Sequence, residues 1–279
     1  MSRDLRNERQ LGVRTVDGVL HLRFNRPERL NAVTVSMLDE LATQLEEAEL
    51  DVSVRVVLVS GEGSSFCSGA DLGASGELAP TDLAEAVDAA NRVVAAMTGL
   101  SKVVVAAVQG AAAGVGASIA AAADLTVLSE SAYFMLSFTK VGLMPDGGAS
   151  VLLSSSIGRA KAMKLALLAE KLPALEAERL GLVSTIFPDE DFEESVAHLI
   201  DRLREGPGPA FANTKHAINQ GSLSQLPEAL RFEREAQVAL LASPDFAEGA
   251  AAFAERRPPK FSSSQPLFGD AGARTWSET

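Results

Sequence analysis

Hydrophobic positions along the chain fall into short extended runs separated by stretches with helical spacing. Val13, Thr15 and Val19 to Phe24 alternate around Asp17-Gly18, a hairpin signal, so residues 11–25 predict two short strands. Asn25-Arg26-Pro27-Glu28 breaks the second strand. Thr34 is placed to cap a helix with Leu38, Leu41, Leu45 and Ala48 on one face. Val54 to Ser60 is an apolar run typical of a parallel strand covered on both sides. A Gly/Ser loop over 61–69 and a helix over 81–99 follow. Val103 to Val108 predicts another buried strand, Gln109-Gly110 opens a small-residue turn, and Ala117 to Ala123 predicts a helix. Leu125 to Ser129 predicts a third strand, and Phe134 to Gly142 an extended segment or a short helical turn. Met144-Pro145-Asp146-Gly147-Gly148 is a loop leading into helices over 149–156, 159–169, 173–180 and 190–204. This alternation predicts an α/β core with a largely parallel sheet.

The pattern changes at Glu205-Gly206-Pro207-Gly208-Pro209, which predicts a linker or sharp turn. Residues 210–257 then read as helical throughout, with apolar faces from Leu226, Leu230, Phe232, Ala236, Leu240 and Leu241. Such an arm has little core of its own and must pack on the main domain or on a neighbouring subunit. The organisation expected is a core over 1–205, a helical oligomerisation arm over 206–261 and a disordered Ser/Gly/Pro-rich tail over 262–279. Val103 to Ala123 is apolar apart from Gln109 and Ser118, but Gly110, Gly114 and Gly116 break it. It falls short of the roughly 20 continuous, strongly apolar residues of a membrane span, so no membrane association is expected. Aromatic residues make up only 5% of the chain, so packing through small side chains is expected. The net charge of −12 argues against a nucleic-acid partner. The single Cys67 cannot form an internal disulfide, and Met1 to Gln10 lacks an apolar core, which together point to the cytoplasm.

Two stretches carry candidate chemistry. Ser65-Phe66-Cys67-Ser68-Gly69-Ala70-Asp71-Leu72 follows one buried strand, and Gly110 through Ser118, rich in Gly and Ala, follows the next and opens a helix. Ligands of open α/β sheets sit at this side. Small side chains admit a ligand to the main chain, and one N–H from each loop could hold an oxyanion between them. Taken singly, each stretch reads more readily as close packing than as a catalytic site.

The two together, in this order, resemble the enoyl-CoA hydratase/isomerase (crotonase) superfamily. The resemblance is carried by Phe24-Asn25-Arg26-Pro27 with Leu30-Asn31-Ala32; Phe66 to Leu72; Gln109 through Asp124; Val141 to Gly148; Ala177 with Gly181-Leu182-Val183; and Phe253 to Phe261. It implies a crotonase-like spiral of ββα units with a C-terminal α-helical arm, assembled as a homotrimer or hexamer. It implies an acyl-CoA thioester substrate, as in fatty acid metabolism, with coenzyme A a part of the substrate and no separate cofactor. By position, the thioester oxygen would lie between the N–H of Ala70 and that of Val115, beside Gly114. Arg29, Leu30 and Ala32, with Ser68, Asp71 and Leu72, match the coenzyme A side. Lys260 and Phe261 match a segment that in relatives reaches the ligand of a neighbour.

The resemblance also bears on the reaction. The hydratase branch uses two glutamates, whose positions here hold Ser118 and Phe138, and neither can transfer a proton as a carboxylate. Asp146 stands where several isomerases carry an Asp as their single base. By its residues alone it reads more readily as a helix N-cap, and the resemblance turns the reading toward a base. An apolar wall of Phe138, Leu143 and Met144 would raise its pKa above the ordinary value of about 3.9. The expected activity is therefore a shift of a double bond through an oxyanion-stabilised dienolate, with Asp146 as shuttle; a ring-oxepin isomerase is a close variant. The alternatives are a hydratase in the broad sense and a non-catalytic acyl-CoA-binding protein. Dehalogenation is disfavoured, because His21, His198 and His216 lie far from both loops in sequence. Cys67 reads as a packed thiol, Asp71 and Asp124 as loop ties, Glu130 as solvent-facing, and Arg256 and Arg257 as phosphate contacts or a solvated helix end. No Cys/His cluster suggests a metal.

Overall fold

A computed structural model describes residues 10–71 and 80–262; Leu72 and the tail from 263 onward lie outside the described residues. β1 (Leu11–Val16) and β2 (Val19–Phe24) form the predicted hairpin, paired from Leu11↔Phe24 to Val16↔Val19. α1 (Val35–Leu50) starts where Thr34 accepts a hydrogen bond from the Met37 N–H. β3 (Val56–Gly61), α2 (Pro80–Gly99), β4 (Val103–Val108) and β6 (Leu125–Ser129) follow the predicted alternation. Between the last two lie β5 (Ala111–Ala113) and α3 (Val115–Ala121), so the expected small-residue turn contains a strand. β7 (Tyr133–Met135), a 3-10 turn over Ser137–Val141, α4 (Ala149–Ile157), α5 (Arg159–Leu168), β8 (Leu172–Pro173), α6 (Ala174–Leu180), β9 (Thr185–Phe187) and α7 (Phe192–Arg204) complete the core.

The main sheet runs β1-β2-β3-β4-β6-β9, parallel except at the hairpin, and a smaller sheet runs β5-β7-β8. Both faces of the main sheet are covered, which is why its central strands read as unbroken apolar runs. Val57, Val59, Val104 and Ala106 point toward α1 and α2, where Leu38, Leu41, Leu45, Val93 and Met97 complete the larger core. Val56, Leu58, Val103 and Val105 face the other way, onto Phe192, Val196 and Ile200 of α7. This alternation follows from the period of two along a strand.

The arm comprises α8 (Gly208–Ser222), α9 (Leu226–Leu241) and α10 (Pro244–Ala254), with breaks at 223–225 and 242–243 where a single helical run was expected. It packs on the core of its own chain. α9 lies against α2 and α4, and α10 lies against the 3-10 turn. A Cβ added at Gly249 would come within 2.6 Å of the Val141 backbone, so α10 docks by close approach. Lys215 of α8 is buried and pairs with Asp124 at 2.8 Å, also donating to the Met97 carbonyl. No helix among the described residues is long and apolar enough to cross a membrane.

Candidate active site

The loop after β3 is stitched to the strand that precedes α3. Phe66 N–H donates to the Gln109 carbonyl at 2.8 Å, Cys67 N–H to Ala111 at 2.9 Å, and Ala113 N–H to Cys67 at 2.8 Å. Gly116 lets α3 sit directly on this seam, since a Cβ there would lie 2.7 Å from the Cys67 carbonyl oxygen. Gly69 (φ 114°) and Gly114 (φ 53°) occupy backbone regions open to glycine, and a Cβ on Gly114 would lie 3.4 Å from the Gly69 Cα. The two loops therefore touch main chain to main chain. The amides immediately after these glycines belong to Ala70 and Val115, and neither donates to an acceptor among the described residues. Their neighbours are taken: Gly114 N–H donates to Met135 at 2.9 Å and Asp71 N–H to Val33 at 2.9 Å. Two unpaired donors on abutting loops are equipped to take one oxygen that gains negative charge.

A shelf lies beside them. Ser68 N–H donates to the Leu30 carbonyl at 3.0 Å and the Ser68 hydroxyl to that of Arg29 at 3.3 Å. Leu30 and Asn31 both have positive φ. Asn31 is fully buried; its side chain accepts from the Arg26 N–H at 2.8 Å and donates to the carbonyls of Glu62 and Ser65. Arg26 donates to the Ala32 carbonyl at 2.6 Å and pairs with Asp71 at 2.8 Å. Arg29, Leu30, Ala32, Ser68 and Asp71 are thus held in one unit, with Arg29 and Leu30 exposed. Asp71 ties loops, as expected.

Asp146 is buried in the loop that precedes α4. Its carbonyl accepts from the Ser118 hydroxyl at 2.7 Å. Its Oδ2 accepts from the Gln237 side-chain amide at 2.9 Å, while Oδ1 is buried with no partner among the described residues. Burial pushes its pKa up to about 7; Gln237 lowers it and the nearby charge of Glu233 raises it further. The N-cap reading does not hold. Gly147 and Gly148 both have positive φ, so α4 starts beyond them, with Gly148 as a cap that has no side-chain bond. The first amides of that helix go instead to Glu233, which accepts from Gly148 N–H at 2.7 Å and Ser150 N–H at 3.0 Å, and from the Ser150 hydroxyl.

The sequence profile described as enoyl-CoA hydratase/isomerase matches residues 14–264. The chain belongs to the enoyl-CoA hydratase/isomerase family. A probable enoyl-CoA hydratase of Rhodobacter capsulatus is 41% identical over 88% of this chain and 95% of its own. The 1,2-epoxyphenylacetyl-CoA isomerase of Escherichia coli is 37% identical over 88% and 95%. A crystal structure of an enoyl-CoA hydratase from Mycobacterium avium subsp. paratuberculosis superposes with a TM-score of 0.87 at 47% identity, covering 91% of this chain and 99% of that one. The fold is therefore the crotonase fold expected from the resemblance, in a family that acts on acyl-CoA thioesters.

Lys260 and Phe261 are exposed at the end of the arm, where Lys260 N–H donates to Glu248 at 2.7 Å. Arg257 also binds Glu248, whose carboxyl is held down to about 2 chiefly by that bond. Phe138 is buried in the 3-10 turn, its carbonyl accepting from Leu143 N–H. His198 and His216 are exposed, and Glu130 faces solvent. Cys67 is buried and its thiol is pushed up to about 12, as befits a packed group. Sequence reasoning missed Arg26, Asn31, Glu233 and Gln237 as site-forming residues. For the last two a signal existed: positions 226, 230, 233, 237 and 241 share one helical face, and all but 233 and 237 are apolar.

Proposed function

We propose that this family member is an enoyl-CoA isomerase that moves a double bond from the 3 to the 2 position of an acyl-CoA. In this reading the thioester oxygen accepts from the N–H groups of Ala70 and Val115. Asp146 takes a proton from C2, the electron pair spreads into a dienolate held by the two amides, and the same carboxyl returns the proton at C4. Substrate and product have the same atoms, so one acid/base group suffices. Each oxyanion donor is worth about 3 kcal/mol in comparable sites. Arg29, Leu30, Ala32 and Ser68, with Leu72, are read as coenzyme A contacts. Exposed Lys260 and Phe261 are read as reaching the ligand of a neighbour in a trimer or hexamer.

The observation that carries the reading is the buried Asp146 carboxyl, with its raised pKa and unpartnered Oδ1; the carboxyl near it, Glu233, is already engaged by the Gly148 and Ser150 N–H groups and the Ser150 hydroxyl. Hydration needs one group to activate water and another to protonate carbon, and positions 118 and 138 hold Ser and Phe. Ser118 is engaged with the Asp146 carbonyl. The relatives' names divide between hydratases and isomerases, and these side chains support the isomerase reading. The Escherichia coli relative named for an epoxide isomerisation favours a second, related reading, in which the same residues act on a ring-bearing acyl group. An Asp146→Asn variant tests the role: turnover of a 3-enoyl-CoA should fall by about 10²–10⁴-fold while a saturated acyl-CoA still binds. Unchanged turnover would remove Asp146 from the chemistry.

A further inference from the structure

The base proposed above does not stand alone; it is held by the C-terminal arm. Gln237 of α9 makes three hydrogen bonds. Its Oε1 accepts from Met144 N–H at 3.1 Å, and its Nε2 donates to the Met144 carbonyl and to Asp146 Oδ2, both at 2.9 Å. These bonds fix the amide's orientation. Turned over, it would set its NH₂ against the Met144 N–H and its oxygen against the Met144 carbonyl. Gln237 is almost fully buried, so its amide is shielded from bulk solvent. One turn earlier on the same face, Glu233 fixes the start of α4 through Gly148 and Ser150. From α3, Ser118 holds the Asp146 carbonyl, and from α2 the apolar Val94 side chain lies near Gly147. Among the described residues, Glu233 is the charged group whose field reaches Asp146.

Resting on the reading of Asp146 as the base, we propose that Gln237 is a positioning residue that assigns the proton to one oxygen. By binding Oδ2 it leaves Oδ1 as the atom that takes and returns the proton. The two arm residues act in opposite directions. The Gln237 amide favours the ionised carboxylate, whereas the Glu233 carboxylate disfavours it by like charge.

The test uses the full chain with Gln237→Glu, Glu233→Gln and Asp146→Asn. The first readout is the pH dependence of kcat with 3-hexenoyl-CoA. Gln237→Glu replaces a donor by a like charge and should move the acid limb upward, with about tenfold lower kcat below it, equivalent to about one pH unit, and little change in KM. Glu233→Gln should move the limb downward. The second readout needs no substrate: the Asp146 carboxyl is titrated by infrared difference between each protein and its Asp146→Asn counterpart. Opposite displacements of that titration support the proposal. If both variants lower kcat equally at every pH and the carboxyl titrates where it does in the parent, the proposal is overturned. Should Gln237→Glu fail to fold, Gln237→Met, which removes the donor without adding a charge, decides: the titration should again move upward. If Asp146→Asn keeps full turnover, the isomerase reading fails on its own, and the infrared titration still judges the Gln237 contact.

Discussion

Replacing Asp146 by Asn should make the protein more stable, and by an amount that depends on pH. The ordinary value for this carboxyl is 3.8 and burial raises it to about 7. A folded-state pKa above the unfolded one means that the native protein holds a proton the unfolded chain releases. Stability is therefore fully present below the unfolded value and is lost as pH rises toward the folded one. At about 1.4 kcal/mol per pH unit, ionising Asp146 in place costs on the order of 4 kcal/mol once the pH is above 7. At pH 5 the loss is only roughly 2 kcal/mol by the same relation. Asn has nearly the same shape, keeps an oxygen for the Gln237 donor and never ionises. The stability difference between variant and parent should thus grow by roughly 2–3 kcal/mol from pH 5 to pH 8. Titrating groups that do not interact with Asp146 are shared and cancel in the difference. Urea unfolding at the two pH values measures it. A difference that is the same at both would show that Asp146 has an ordinary pKa, and the argument for a poised base would fall with it.

Other predictions follow from the same contacts. Gly114→Ala places a Cβ at φ 53° and 3.4 Å from the Gly69 Cα; strain of about 1–3 kcal/mol should lower the melting temperature and displace the Val115 amide, so kcat should fall more than KM changes. Lys215→Ala leaves the partly buried Asp124 without its cation and should cost up to about 3 kcal/mol in urea unfolding. Cys67, buried with its thiol pushed up to about 12, should resist iodoacetamide in native protein at pH 8 and react on unfolding; rapid native labelling followed by mass would contradict its placement.

What the sequence discloses depends on the range of the interaction. β3 and β4 are legible because a strand buried on both faces must be apolar at every position, and α1 because Thr34 and the leucines follow local rules. β5 is not, since three alanines carry no side-chain pattern and the strand exists through backbone pairing to the loop at Cys67 and to β7. The glycines before Ala70 and Val115 are visible, but their contact joins segments that only the sheet brings together. Asp146 reads locally as a cap because it precedes a helix, yet the two glycines after it delay the helix start and hand its amides to Glu233. The Gln237–Asp146 bond spans 91 residues, beyond the reach of any local spacing. The polar interruptions on the apolar face of α9 were its one trace in the sequence.

The central claim is that one carboxyl shuttles a proton without adding water. Purified protein should be given 3-hexenoyl-CoA and, separately, 2-hexenoyl-CoA, with conjugation followed at the thioester absorbance band and products weighed by mass spectrometry. The account predicts that the 3-enoyl substrate gains conjugation with no change in mass and that the 2-enoyl substrate takes up no water. A 2-enoyl product heavier by one water would contradict it, because Ser118 and Phe138 would then sit in a site that hydrates without the carboxylates the reaction needs.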